Sequence, residues 1–306
     1  FAPHAGRRPQ NPVSTCAFLG ISCILAKVTV CRVGRKGVFP LKFPVNHDIH
    51  CHTRLSLCSQ DPGMTPESIL RFAQDKGYDC LCLTDHFWDE DLPDPNEFYA
   101  AQGLDHVRQS LPLPATDKLR FLFGCETEYC GGSRLALSPR HYDRFDFIVV
   151  PLNHFHMPGL TRDPSIRTAP ALAELLLTRL EELTRLDLPF EKVGLAHLNC
   201  SLVFRDGDWH QVMRLLDETR LRRCFAFYAK AGAGIELNAS CFAPGWTDFE
   251  EENLRVFRLA KEEGCRFYCG SDAHHPQALP TVQEWLPLVA EKLGLRAQDR
   301  YQIPER

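Results

Sequence analysis

The chain has 306 residues, 44% of them hydrophobic and 24% charged, with a net charge of −4; this is the profile of a globular protein, not of a disordered or fibrous one. Its length suits one large domain or two small ones, with a core that needs neither disulfides nor a structural metal. The first 44 residues carry seven basic side chains and no acid, which leaves 28 basic against 39 acidic from residue 45 onward. An acidic body disfavours long nucleic acid, whose affinity comes from clustered Lys and Arg, but leaves room for a small phosphorylated substrate.

Residues 1–44 read as a basic N-terminal extension, either unstructured or a misassigned start. Arg7-Arg8 followed by the apolar run Cys16–Ala26 loosely resembles a signal peptide, but the run is too short to span a bilayer, and no membrane span is expected beyond it. The 14 cysteines are scattered without a CxxC pair, and Cys80, Cys82, Cys125, Cys265 and Cys269 sit in or beside apolar runs, so a reducing cytoplasm is expected.

From Val45 to the C-terminus the chain alternates between short apolar strands and helical stretches. Strands are expected at Asn46–His50, Cys80–Thr84, Leu119–Cys125, Phe145–Leu152, Val193–Ala196, Gly234–Leu237 and Arg266–Cys269. Thr65-Pro66 should cap a helix ending at Gly77, and Asp94-Pro-Asn-Glu97 a second. Further helices are expected over Ala171–Leu186, around Trp209–Ala231, over Phe249–Glu263 behind a Thr247-x-x-Glu250 box, and over Thr281–Leu293. A weak internal echo joins the two ends. In Phe72–Gly77 leading to Asp85, and in Leu259–Gly264 leading to Asp272, a glycine falls eight residues before an aspartate at a strand end. Seven strands alternating with helices predict a parallel α/β barrel-like domain over residues 45–306.

Of the 13 histidines, His50, His52, His86, His154, His197 and His274 fall just past predicted strands, and Glu126 and Asp272 share that placement. In parallel barrels these strand ends converge on one face. Imidazoles and carboxylates gathered there suit Zn²⁺, Mn²⁺ or Fe²⁺. Each residue alone has a bland explanation: a surface pair for His50-Cys-His52, a capping acid for Asp85, an ion pair for Glu126 or its neighbour Glu128, a satisfied core group for His197, a turn for Asp272. Either His154 or His156 can be structural. The coincidence of all of them at strand ends carries the metal reading. His4, His47, His106, His141, His210 and His275 are expected to be incidental.

His50-Cys-His52, Thr84-Asp-His86, Glu126, His154, Ala196-His197 and Gly270-Ser-Asp-Ala-His274 occur in the order found in the PHP (polymerase and histidinol phosphatase) family, which the chain resembles over about residues 45–290. The resemblance implies a distorted (β/α)7 barrel with two or three divalent ions (Zn, Mn or Fe) at the C-terminal ends of its strands. It implies His50, His52, Glu126 and Asp272 at a first ion, His154 and His197 with a bridging Glu126 at a second, and His86 and His274 at a third. Glu126, Asp272 and His197 would be the catalytic members. A further third-ion ligand of the family falls six residues after the second His of the HxH motif, here Cys58. A thiolate there, Asp61 in its place, or a weak or empty third site are the alternatives. Asp85 is expected to orient His86 rather than bind metal.

Closely spaced divalent ions can hold a phosphate ester and lower the pKa of a water from 15.7 toward roughly 7, so no Ser or Cys nucleophile is required. The chain has no GxSxG elbow, P-loop or GxGxxG. Arg54, Arg162 and Arg205 are candidate phosphate contacts, although solvated surface is the commoner role for each. The leading expectation is a metal-dependent phosphoesterase acting on a small molecule, histidinol phosphate among the candidates. The alternatives are a phosphodiesterase or exonuclease acting on nucleotides, and a non-catalytic metal-binding module.

Overall fold

The computed structural model describes residues 42–305. The expected extension and its apolar run lie, up to residue 41, outside the described residues. The described chain is an α/β fold in which every strand pair runs parallel. Its strands are β1 (His47–Cys51), β2 (Cys80–Leu83), β3 (His86–Phe87), β4 (Arg120–Phe123), β5 (Cys125–Thr127), β6 (Ile148–Pro151), β7 (Val193–Ala196), β8 (Gly234–Asn238) and β9 (Arg266–Gly270). They form a three-stranded sheet, β1-β2-β4, and a six-stranded sheet, β3-β5-β6-β7-β8-β9.

Each of the seven expected strands is present, but two are broken. The Cys80–Thr84 strand stops at Leu83 and resumes as β3 beyond Thr84 and Asp85, while Gly124 separates β4 from β5. The glycine is required there: a Cβ would lie 2.6 Å from the Phe147 carbonyl oxygen and 2.8 Å from Cys82 Sγ. Backbone bonds cross both breaks, from Gly124 N to Leu83 O (2.8 Å) and from Glu126 N to Asp85 O (3.0 Å). At the other edge Asp272 N donates to His50 O (2.8 Å) and His52 N to Ala273 O (3.1 Å), which ties β1 to the end of β9.

The helices depart further from expectation. Helix α1 (Pro66–Asp75) begins as read, with the Thr65 hydroxyl accepting from Ser68 N. No helix opens at Asp94. That residue has a left-handed backbone, φ 61°, and Asn96 folds a local turn by accepting from Tyr99 N, so only the short α2 (Leu104–Val107) follows. After α3 (Ala169–Leu183), the single helix expected around Trp209–Ala231 is two, α4 (Trp209–Leu215) and α5 (Glu218–Ala231), because Asp217 caps a new start by accepting from Arg220 N. The Thr247 box does not form; Trp246–Phe249 is a 3-10 turn, and α6 (Glu250–Glu262) starts without a side-chain cap. Helix α7 (Thr281–Lys292) closes the series. The internal echo is structural, since Gly77 and Gly264 end α1 and α6 in left-handed conformation, φ 69° and 87°.

The strands are buried almost throughout, which explains their unbroken apolar sequences. Ile49, Phe147, Val149, Ala196, Tyr268 and Tyr301 pack together on one side of them. Gly194 leaves space for Tyr268, whose Cε1 would sit 2.7 Å from a Cβ at that position. The helices bury their apolar faces on the other side, in a larger cluster that includes Leu70, Leu176, Phe225, Phe257 and Val289.

Candidate metal centre

The strand ends bring the predicted residues together. His50 lies in β1 and His52 just beyond it, His86 opens β3, and Glu126 lies in β5; His154 follows β6, His197 follows β7, and Asp272 and His274 follow β9. Pairing of β1 with β2 slips between Asp48 and Cys51, an irregularity of the kind that re-aims side chains beside functional sites. His197 and Asp272 adopt left-handed backbones, φ 31° and 54°. Such non-glycine conformations cost about 1–3 kcal/mol each and cluster where function requires them.

Three groups have ligand atoms close enough to hold a divalent ion: His50, His52 and Glu126; Glu126, His154 and His197; and His52, His86 and His274. Glu126 is the hub. Its Oε2 lies 3.5 Å from His50 Nε2, 3.3 Å from His52 Nε2 and 3.0 Å from His86 Nδ1, and its Oε1 lies 3.4 Å from His197 Nε2 and 3.9 Å from His154 Nε2. Asp272 Oδ1 is 3.1 Å from His52 Nε2 and 3.5 Å from His50 Nε2. His50 Nε2 and His86 Nδ1 are buried without a hydrogen-bond partner. Inward-facing nitrogens around two carboxylates form the donor set of a borderline divalent cation, so these residues fit such an ion.

The supporting contacts fix the rings. Glu236 Oε1 takes His50 Nδ1 at 2.7 Å, and its Oε2 takes the backbone N of His197 at 2.7 Å. His197 Nδ1 meets Asn153 Oδ1 at 3.0 Å, and His154 Nδ1 meets Glu128 Oε2 at 2.8 Å. Glu128, the alternative to Glu126, therefore buttresses His154, and its Oε2 also accepts from the Tyr99 hydroxyl. Asp85 stands behind two of the rings. Its carboxylate accepts from Thr53 N, Thr53 Oγ1 and Ser56 Oγ, each at 2.7 Å, and Ser56 Oγ then meets His52 Nδ1 at 3.0 Å and accepts from His86 N at 3.0 Å. It positions His52 as much as His86, through a serine. Sequence reasoning missed Glu236, Asn153 and Ser56. Glu236 had a signal, as the one acid in the apolar strand Gly234–Asn238.

The electrostatics follow from this packing. Burial opposes a charged His50, but Glu236, Asp272 and Glu126 outweigh it and hold its pKa well above the usual value. Burial likewise opposes charge on His52 and His197, yet hydrogen bonds to Asp272 and Glu126 for the first, and to Glu126 for the second, raise both to about 9. Burial favours neutral Glu126 and Asp272, and the surrounding imidazoles hold both carboxyls below their ordinary range. Burial wins at His86, which is held well below its ordinary value.

Asp272, although its Oδ1 adjoins His52 and His50, falls outside these three groups, as do other predicted residues. Cys58 lines the cavity above the cluster, and burial with the nearby Glu126 and Asp272 carboxylates pushes its thiol up to about 12. Asp61 instead closes a turn by accepting from Gly63 N at 2.8 Å. Arg162 is bonded to the carbonyls of Phe155 (2.8 Å) and Ile166 (2.5 Å). With Arg205 it lines a neighbouring depression that meets the cavity at His156, while Arg54 is exposed. The incidental histidines have structural partners where they are buried: His47 Nε2 accepts from Cys269 N, and His141 pairs with Asp89.

The described residues combine an α/β fold of parallel strands with imidazole–carboxylate groups at the strand ends that are close enough to hold a divalent ion. Residues 48–240 match the PHP domain family, and the chain belongs to it. The match stops short of Asp272 and His274, which the fold returns to the same cluster. Among solved structures the chain is similar to a histidinol phosphate phosphatase from Lactococcus lactis, solved with zinc, L-histidinol and phosphate, at 16% identity over 84% of this chain and 98% of that one, TM-score 0.56. It is also similar to the hisK protein of Listeria monocytogenes, at 16% identity over 76% and 96% of the two chains, TM-score 0.51. Comparison with curated proteins gives no match. Among the described residues no helix is long and apolar enough to cross a membrane.

Proposed function

We propose that this protein is a metal-dependent phosphoesterase that releases phosphate from a small molecule. The observation that carries the reading is the Glu126 hub, where one buried carboxylate faces five imidazoles and two of the three ligand groups share it. His50, His52, Glu126 and Asp272 would hold one ion, Glu126, His154 and His197 a second, and His86 and His274 with His52 a third. Two or three bound ions would supply Lewis acidity at the phosphoryl oxygens and a water acidic enough to act near neutral pH. Glu126, Asp272 and His197 would border the reacting atoms, while Glu236, Asn153, Glu128 and Ser56 hold the rings from behind.

The distorted seven-stranded barrel belongs to the same reading. Counting β2 with β3 and β4 with β5 as single broken strands gives seven, and the Asp272–His50 and His52–Ala273 backbone bonds support closure between β9 and β1. Residues 45–306 would form this one domain, and Phe43, buried in the larger core cluster, with Lys42, which forms a β-bridge to Arg296, extends it to residue 42 among the described residues. Cys80, Cys82, Cys125, Cys265 and Cys269, buried as small apolar side chains, support a reducing, cytoplasmic setting. Histidinol phosphate is a candidate substrate through the Lactococcus lactis likeness. Alanine at His50, Glu126 or Asp272 should remove bound metal and cut phosphate release on the order of 100-fold or more. Full activity in any of these variants would end the metal-catalysis reading.

A further inference from the structure

The cavity above the cluster has a volume of about 420 Å³, within the range of small-ligand sites. Its deep wall is the metal-facing set. Its outer wall is Asn96, Phe98, Tyr99, His156, Met157 and Leu202, with Cys58 at the edge. We propose, resting on the phosphoesterase reading above and departing from its histidinol phosphate candidate, that this outer wall selects a phosphate monoester of a neutral, apolar alcohol, aromatic or alkyl, over that of an amino alcohol.

The argument is one of missing charge partners. A buried ammonium needs a carboxylate, and leaving it unpaired is costly. Among the described residues the carboxylates that line the cavity are Glu126 and Asp272, and both face the imidazoles. Glu128 lies behind the wall with its Oε2 engaged by His154 and Tyr99. Asp94 and Asp206 line adjoining depressions rather than this one. The wall offers no second charge among the described residues: Asn96 Oδ1 accepts from Tyr99 N at 3.0 Å, Asn96 Nδ2 is turned to Met157 Sδ at 3.9 Å, the Tyr99 hydroxyl donates to Glu128 at 2.9 Å, and His156 Nδ1, buried without a partner, offers a ring nitrogen and not a carboxylate. Phe98 stands edge-on to His86, ring centroids 5.2 Å apart, as a hydrophobic side to the cavity mouth. Aromatic rings offer a cation far less than a carboxylate does.

The test compares two esters on one skeleton, 3-phenylpropyl phosphate and phenylalaninol phosphate, which differ by a single ammonium group. The ammonium makes the alkoxide the better leaving group, so intrinsic reactivity favours the amine ester and a contrary preference belongs to the pocket. The metal-loaded protein should show kcat/KM on the order of 100-fold higher for the phenylpropyl ester. Calorimetric titration of the same protein with 3-phenylpropanol and phenylalaninol should show the same preference without turnover. Leu202→Asp, or Met157→Glu should the first fail to fold, should narrow the ratio at least tenfold by supplying the absent carboxylate. Equal or faster hydrolysis of the amine ester, histidinol phosphate included, would overturn this inference and leave the phosphoesterase reading standing. Release from neither ester by metal-loaded protein would overturn both.

Discussion

His50 is pinned at Nδ1 by Glu236, His52 by Ser56, His154 by Glu128 and His197 by Asn153, and in each ring the opposite nitrogen turns toward Glu126 or Asp272. This pattern makes Nδ1 of four rings a donor from behind, so the inward nitrogen is the one that loses its proton when an ion takes its place. Glu236 serves two of these positions, holding the His50 ring and the His197 backbone. Glu236→Gln should therefore leave the fold in place and lower metal affinity roughly 10–100-fold, measured by metal titration beside a far-ultraviolet spectrum; unchanged affinity would remove Glu236 from the site. At this scale the sequence exposed the inward-facing residues and concealed most of their supports. Histidines at strand ends stand out against their neighbours, whereas Ser56 and Asn153 are ordinary polar residues until the fold brings them 4 and 44 positions away from their own numbers to a ring nitrogen.

Breaks in the elements shape the site. The strands interrupted at Thr84-Asp85 and Gly124 are those that carry His86 and Glu126 inward, and neither break was legible, because each arises from a close approach between distant segments rather than from local propensity. The helix misread at Asp94 failed for a local reason, a left-handed acid followed by an Asn96 turn, and that loop instead supplies Asn96, Phe98 and Tyr99 to the cavity. Helix α3 contributes a buried Arg179, whose guanidinium reaches the carbonyls of Tyr129, Cys130 and Thr161 and so clamps the loops after β5 and β6. Those loops hold Glu128 and His154. Arg179→Met should lower stability by about 1–3 kcal/mol by stripping donors from buried carbonyls, read by chemical denaturation, with metal affinity falling alongside. An unchanged denaturation midpoint would mean that these loops are held by other contacts.

Across the whole molecule, charge at the cluster couples folding to protons and to metal. In metal-free protein His52 and His197 have pKa values raised to about 9 from an ordinary 6.5. Their stabilisation is therefore complete below pH 6.5 and is lost as pH rises through about 9. Glu126 and Asp272, held below the carboxylate range, contribute above that range and lose their contribution only as pH falls through it. Chelated protein should thus melt at progressively lower temperature from pH 6.5 to 9, while metal, which competes with protons for the same nitrogens, should protect more strongly over that interval. A gap between loaded and chelated melting temperatures that stays constant with pH would contradict this coupling. The measurement that tests the central claim most directly is metal content by elemental analysis, with phosphate release from p-nitrophenyl phosphate followed before chelation, after it, and after metal is restored. The predicted result is two or more ions per chain, with release lost on chelation and regained on restoration; a chain that binds little metal and releases no phosphate under any reconstitution would contradict the claim.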